Sequence, residues 1–161
     1  GSEVDILEDG SLDLDDDVLK QLEVVVSSIH TRFDLSSEKQ TERILRAMDN
    51  PCMQILGHPT GRLINHRAAY EVDVERIIDA AAEHGCHLEL NAQLDRLDLT
   101  DVHCRLAKDK GVKIAISTDA HSTSELQFMK YGVHQARRGW LEADDVINTR
   151  SWGDLQQLLK R

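Results

Sequence analysis

The sequence predicts an α/β protein: parallel strands with flanking helices, wound as a portion of a larger barrel-like sheet. Three observations carry that expectation. Strand-like and helix-like segments alternate along most of the 161 residues at roughly the 30-residue spacing of βα units. The strand-like runs Val24-Val25-Val26 and Ile114-Ala115-Ile116 are almost continuously apolar, as strands covered on both faces are. The helical segments between them open on capping residues and close on Gly or Asn-Pro. No linker or low-complexity stretch interrupts the pattern, so the chain reads as one domain or part of one. It is short for a closed eight-unit barrel, which takes about 250 residues.

Taken in order, Gly1–Leu7 alternates with the period of a strand, Glu3 and Asp5 sharing one face. Asp9-Gly10 signals a turn, and Asp15-Asp16-Asp17 place negative charge at the start of a short helix reaching Leu22. Leu22–Ile29 forms the second strand and ends on His30. Ser36-Ser37-Glu38 starts a helix to Met48, stopped by Asn50-Pro51. Met53–Leu56 is a short third strand that runs into Gly57-His58.

Val72–His84 is amphipathic, with Val74, Ile77, Ile78 and Ala81 on one stripe and Gly85 as its terminator. Cys86–Ala92 is the fourth strand, and Glu89 and Asn91 lie on one of its faces. Thr100-Asp101 caps a helix to Lys110, Gly111 ends it, and Val112–Thr118 is the fifth strand. Three helical segments are expected beyond it, near Ser124–Tyr131, Glu142–Thr149 and Ser151–Arg161.

Composition narrows the function classes. Hydrophobic residues make up 40% of the chain and aromatics only 4%, so the core should be aliphatic. No apolar run approaches the 18 or so residues of a membrane span, and no signal-peptide pattern opens the chain, so a cytoplasmic location is expected. The net charge of −10 repels a phosphate backbone, which argues against nucleic-acid binding through a broad basic surface. Divalent cations would invert that sign locally. Cys52, Cys86 and Cys104 are odd in number and lack C-x-x-C pairing, so they read as reduced core residues.

The chemistry-bearing residues close the strands. They are Glu3, His30, His58, Asn91, Asp119 and His121; His30, His58 and the Asp119–His121 pair each follow an apolar run, and in parallel α/β proteins that end of a strand is where ligands bind. Imidazole nitrogens and carboxylate oxygens suit zinc, manganese or iron, and such ions activate water and clamp the oxygens of a phosphoryl displacement. His66, His84, His87, His103 and His134 follow no such run and read as ordinary side chains. No phosphate-binding P-loop, dinucleotide fingerprint or serine elbow is present.

An ordered set of motifs resembles a known family. The motifs are Glu3-Val4-Asp5-Ile6-Leu7, Ser28-Ile29-His30, Gly57-His58-Pro59-Thr60-Gly61-Arg62, Glu89-Leu90-Asn91-Ala92 with Arg96-Leu97-Asp98-Leu99, and Ser117-Thr118-Asp119-Ala120-His121-Ser122. Together they resemble the later part of the PHP (polymerase and histidinol phosphatase) domain. The branch most similar is the C-terminal PHP domain of bacterial and archaeal family X DNA polymerases, which the tail around Ala136-Arg137-Arg138-Gly139-Trp140 also resembles.

The resemblance implies a distorted (β/α)7 barrel, here its C-terminal part without the first barrel strands or a polymerase region. It also implies divalent metals, Mn2+ or Zn2+, up to three in a complete domain. Carried over, Glu3 bridges metals, His30 and His58 hold one ion, and Asp119 and His121 serve the others as metal ligands and catalytic residues. Arg62 would contact substrate phosphate, Glu89 and Asn91 would support ligands, and Arg137 and Arg138 would meet a nucleic-acid backbone.

The implied activity is metal-dependent phosphoesterase action on DNA ends, a 3′–5′ exonuclease or related 3′-end processing in DNA repair. DNA would be engaged through the full-length protein. Two alternatives stand beside it: a small-molecule phosphatase of the histidinol-phosphate type, and a structural fragment with an incomplete site. An unpaired sheet edge would favour homo-oligomers, and weak or absent activity is expected of residues 1–161 alone.

Overall fold

The computed structural model describes residues 1–160. Its five strands are β1 (Ser2–Asp5), β2 (Val25–Ser28), β3 (Ile55–Leu56), β4 (His87–Asn91) and β5 (Ile114–Ser117). They form one all-parallel sheet in the order β1-β2-β3-β4-β5, each strand lying beside its predecessor. Crossovers of one hand between sequential neighbours put all the connecting helices on one face. That is the winding of a (β/α) barrel segment rather than of a doubly wound sheet.

The α-helices are α1 (Asp16–Leu19), α2 (Ser37–Met48), α3 (Val74–His84), α4 (Asp101–Asp109), α5 (Met129–Arg138) and α6 (Trp152–Leu158). Their ends follow the local chemistry. Ser36, Asp73 and Thr100 cap α2, α3 and α4 by accepting the N–H of the third residue onward, and Gly85 closes α3 with a left-handed φ of 68°. Helices α2, α3, α4 and α5 pack in series. Ile44, Ala47, Met48, Ile77, Ile78, Cys104 and Ala107 bury their inner faces against Val25, Leu56, Leu88 and Ile114 of the sheet. The opposite sheet face is covered at its lower end, where Val24, Val26, Ile55 and Ala115 meet Ile147, Leu155, Leu158 and Leu159. No described helix is long and apolar enough to cross a membrane.

Three expected boundaries are corrected. The second strand starts at Val25, because Leu22 is bonded back to Leu19 in the turn after α1. The expected helix Ser124–Tyr131 is instead a 3₁₀ turn, Thr123–Phe128, followed by the ten-residue α5. The expected helix Glu142–Thr149 is two 3₁₀ turns, Ala143–Asp145 and Ile147–Thr149, broken at an extended Val146. Val146 pairs in parallel with Ile114. Asn148 then completes the β5 edge, accepting from the Ile116 N–H at 3.0 Å and donating to its carbonyl at 2.6 Å. A tertiary edge therefore overrides the local helical preference, and it gives β5 the partner an edge strand otherwise lacks. Arg161, the expected last residue of the C-terminal helix, lies outside the described residues.

Helix α5 lies directly on the ends of β4 and β5, and Gly132 is what permits it. A Cβ there would stand 2.6 Å from Ile116 Cγ2 and 2.8 Å from Ala92 Cβ. Gly132→Ala should gain about 1 kcal/mol of helix propensity and lose about 1–3 kcal/mol to overpacking. The expected sum is a loss of roughly 1 kcal/mol in urea unfolding, and a net gain would show that α5 can shift outward at little cost.

Candidate metal centre

Strand β1 and the C-terminal ends of β2 and β3 bring Glu3, His30 and His58 together. Glu3 does not close its strand as expected but is the second residue of β1, opposite Val26; His30 follows β2 by two residues, and His58 follows β3 by two. One potential ligand atom from each lies within 4.8 Å of the others. Contacts converge on Glu3 Oε1: Ser28 Oγ donates to it at 2.5 Å, His58 Nε2 lies at 3.2 Å and His30 Nε2 at 3.5 Å. The two imidazoles stand edge to face with centroids 5.0 Å apart. The His58 hydrogen bond, the Ser28 hydroxyl and the nearby imidazoles hold the Glu3 carboxyl down at about 2, against the opposing effect of burial. It is therefore ionised and ready as a ligand.

The chemistry of this donor set fits a divalent cation. One carboxylate and two imidazoles match the preferences of zinc, manganese and iron. His58 is buried, yet its Nδ1 has no partner in the protein, and its backbone sits at a left-handed φ of 26°. Such positive φ values are uncommon outside glycine and cluster where a side chain must be aimed. On His30 the other ring nitrogen, Nδ1, is held by the Asp5 carboxylate. That arrangement leaves Nε2 to face Glu3 and fixes the ring, as carboxylate–histidine pairs do at metal sites.

Asp119 and His121 stand apart from this trio, at the end of β5. Asp119, also at a positive φ of 49°, accepts from Asn91 Nδ2 at 3.1 Å and lies 3.5 Å from Arg96 Nε. His121 is 81% exposed, its Nδ1 2.8 Å from the Asp119 carbonyl, and Glu125 accepts its backbone N–H at 2.9 Å. A hydrogen-bonded chain joins the two regions. Buried Glu89 accepts the His58 N–H at 2.6 Å and the Ser117 hydroxyl, and Asn91 Nδ2 reaches both Glu89, at 3.4 Å, and Asp119. Burial pushes the Glu89 carboxyl up from its usual range, opposed by those donors. Glu89 and Asn91 thus tie the β3 end to the β5 end.

Arg62 is engaged by the loop after β4. Its guanidinium donates to the Arg96 carbonyl at 2.8 Å and to the Leu97 carbonyl, so it clamps the loop after β4. The same loop is anchored from inside by Asp98, which accepts the Thr60 N–H at 2.9 Å and pairs its backbone with Asn91. Arg96, delivered by that loop, keeps a buried Nη1 without a partner.

No protein-family model matches the chain. It is 45% identical, over its whole length, to the DNA polymerase/3'-5' exonuclease PolX of Bacillus subtilis. It is also 32% identical over 99% of its length to a protein named probable phosphatase from Thermoanaerobacter sp. strain X514. A similarly named protein from Caldanaerobacter subterraneus is 32% identical over 75% of the chain. The chain is homologous to all three. It spans 28%, 66% and 49% of their respective lengths.

Two residues of the site escaped the reading of single strand ends. Asp5 shares the Glu3 face by strand alternation, so its position was readable, but not its bond to His30. Arg96 lies in an irregular loop whose course depends on Arg62 and Asp98, and no local periodicity announces it.

Proposed function

We propose that the chain is part of a PHP-type, metal-dependent phosphoesterase that acts on DNA ends, by 3′–5′ removal of nucleotides. The observation that carries the reading is the convergence of Glu3, on β1, with His30 and His58, just past the ends of the adjacent parallel strands β2 and β3. The homology to an exonuclease-bearing polymerase and to proteins named phosphatases supports a phosphoesterase-type domain.

In this reading Glu3, His30 and His58 hold a divalent cation, Mn2+ or Zn2+. When bound, such an ion supplies Lewis-acid activation of water and charge neutralisation at phosphorus. The chain's own residues supply the rest. Ser28 and the imidazoles keep the Glu3 carboxylate ionised and oriented. Asp5 fixes the His30 ring. Asp119 and His121, at the rim of the same sheet end, are assigned as catalytic residues and as ligands for further ions. Asn91 and Glu89 hold Asp119 in register with His58. On the substrate side Arg62 fixes the loop that carries Arg96, whose Nε lies 3.5 Å from Asp119.

The deciding experiment is Mn2+ titration of the purified chain by calorimetry, followed by hydrolysis of a 3′-labelled single-stranded oligonucleotide. Uptake of metal that is lost in His30→Ala supports the site, and absence of any uptake by the wild type sinks it. The names of the phosphatase relatives keep a second reading alive, hydrolysis of a small phosphomonoester. Histidinol phosphate cleaved faster than the oligonucleotide would favour it. Asp5→Asn, which leaves the three ligands in place, is expected to weaken Mn2+ binding by about 10–100-fold. An unchanged Kd would show that the Asp5–His30 bond is not needed to aim the ring.

A further inference from the structure

Helix α5 presents an acid-free, basic face in this acidic chain. Among the described α-helices it alone contains no carboxylate; its sequence is MKYGVHQARR, in a chain of net charge −10. Lys130, His134 and Arg137 are all exposed. They succeed one another at spacings of four and three, which sets them along one side of the helix over about 10 Å. None of the three makes an ion pair with a described residue, whereas Arg138 is neutralised by Asp101 at 3.0 Å and Arg105 by Asp109 at 2.9 Å. The helix dipole accounts for basic residues in the last turn but not for Lys130, which stands in the first turn where a cation is disfavoured.

The opposite side of α5, through Gly132, rests on Ala92 and Ile116, so the helix is seated at the ends of β4 and β5 with its basic side turned outward. Trp140, two residues beyond the end of α5, is 70% exposed and held at a left-handed φ of 59°. Arg105 lies over its ring at 5.1 Å, and the ring lines an open cavity of about 410 Å³ with Val102, Arg105, Arg138 and the Asp101 that pairs with Arg138. Cations at intervals beside an exposed aromatic ring are what a groove for single-stranded nucleic acid needs: point charges for phosphates and a platform for a base.

We propose that α5 and Trp140 form a track that binds single-stranded DNA, Lys130, His134 and Arg137 meeting phosphates and Trp140 stacking on a base. The identity of the strand as DNA rests on the function proposed above. The occupant's charge is dictated by the face itself, since the rest of the surface repels polyanions.

Binding of a fluorescein-labelled single-stranded oligonucleotide to the chain, followed by anisotropy from 10 to 200 mM salt, tests this. Lys130→Gln with Arg137→Gln should weaken binding roughly tenfold or more at 50 mM salt and flatten the log–log salt slope by about 1.4, at 0.7 per lost phosphate contact. Trp140→Ala should weaken binding several-fold and leave that slope unchanged. Hydrolysis of bis-p-nitrophenyl phosphate, too small to reach α5, should be the same in all variants. An unchanged affinity and slope in the double variant overturn the track, as does the absence of any binding by the wild type, or displacement of DNA by polyglutamate at equal charge, which would mark the face as an acidic-protein site. If the small diester is not cleaved by any form while the slope still falls, the track stands and the proposed chemistry does not.

Discussion

Arg43→Met should destabilise the protein by about 3–5 kcal/mol, the largest loss expected of any single side chain here. Arg43 is 1% exposed and has no carboxylate against it; burial pulls its guanidinium below its ordinary range. Its donors are taken by main-chain carbonyls instead: Leu7 at 2.8 Å, Thr31 at 3.0 Å, and Ile6. One side chain of α2 thus ties the segment after β1 to the segment after β2. Methionine fills the volume but leaves those carbonyls without their charged donor, and each such bond contributes about 1.5–3 kcal/mol.

For a chain of this length the loss corresponds to a fall in Tm on the order of 10 °C. Arg43→Lys should fall between, since a single ammonium cannot span three acceptors set around a planar fork. A calorimetric melt showing less than about 1 kcal/mol of change would refute the clamp. Because the clamped segments flank Glu3, Asp5 and His30, the same variant should also bind Mn2+ less tightly at temperatures where it is still folded.

His58→Ala is expected to remove metal-dependent stabilisation altogether. His58 is the buried member of the trio, reached through the β3 end and braced from behind by Glu89. Wild-type protein at an Mn2+ concentration about 100 times its Kd should gain roughly 2.7 kcal/mol, reversed by EDTA. The variant should show no shift, because one carboxylate and one imidazole bind at least about 100-fold more weakly than the complete set. His66→Ala, on the loop after Arg62 and exposed, is the control and should shift as the wild type does. An equal metal-induced shift in His58→Ala would remove His58 from the ligand set.

The sheet was readable because its cause is local. Runs such as Ile114-Ala115-Ile116 can satisfy their backbones and bury both faces only between neighbours, and Ser36, Asp73, Thr100 and Gly85 carry their capping chemistry with them. Errors occurred where distant groups decided. Val146 and Asn148 left a helical pattern because the edge of β5 offered backbone partners. Helix α5 runs on to Arg138 although Gly132 reads as a weak point, because only glycine lets it touch Ala92 and Ile116.

The site divides the same way. That His30, His58, Asp119 and His121 follow strands is legible in the order of residues alone, and so is the acid-free composition of α5, whereas Glu3 stands inside β1 rather than at its end. Which of them meet is a property of the sheet. The order β1-β2-β3 sets Glu3, His30 and His58 side by side, and two intervening ladders leave Asp119 linked to them through Asn91 and Glu89. Strand order fixes distance in space, a distance in sequence does not, and only packing of the helices on one face selects that order.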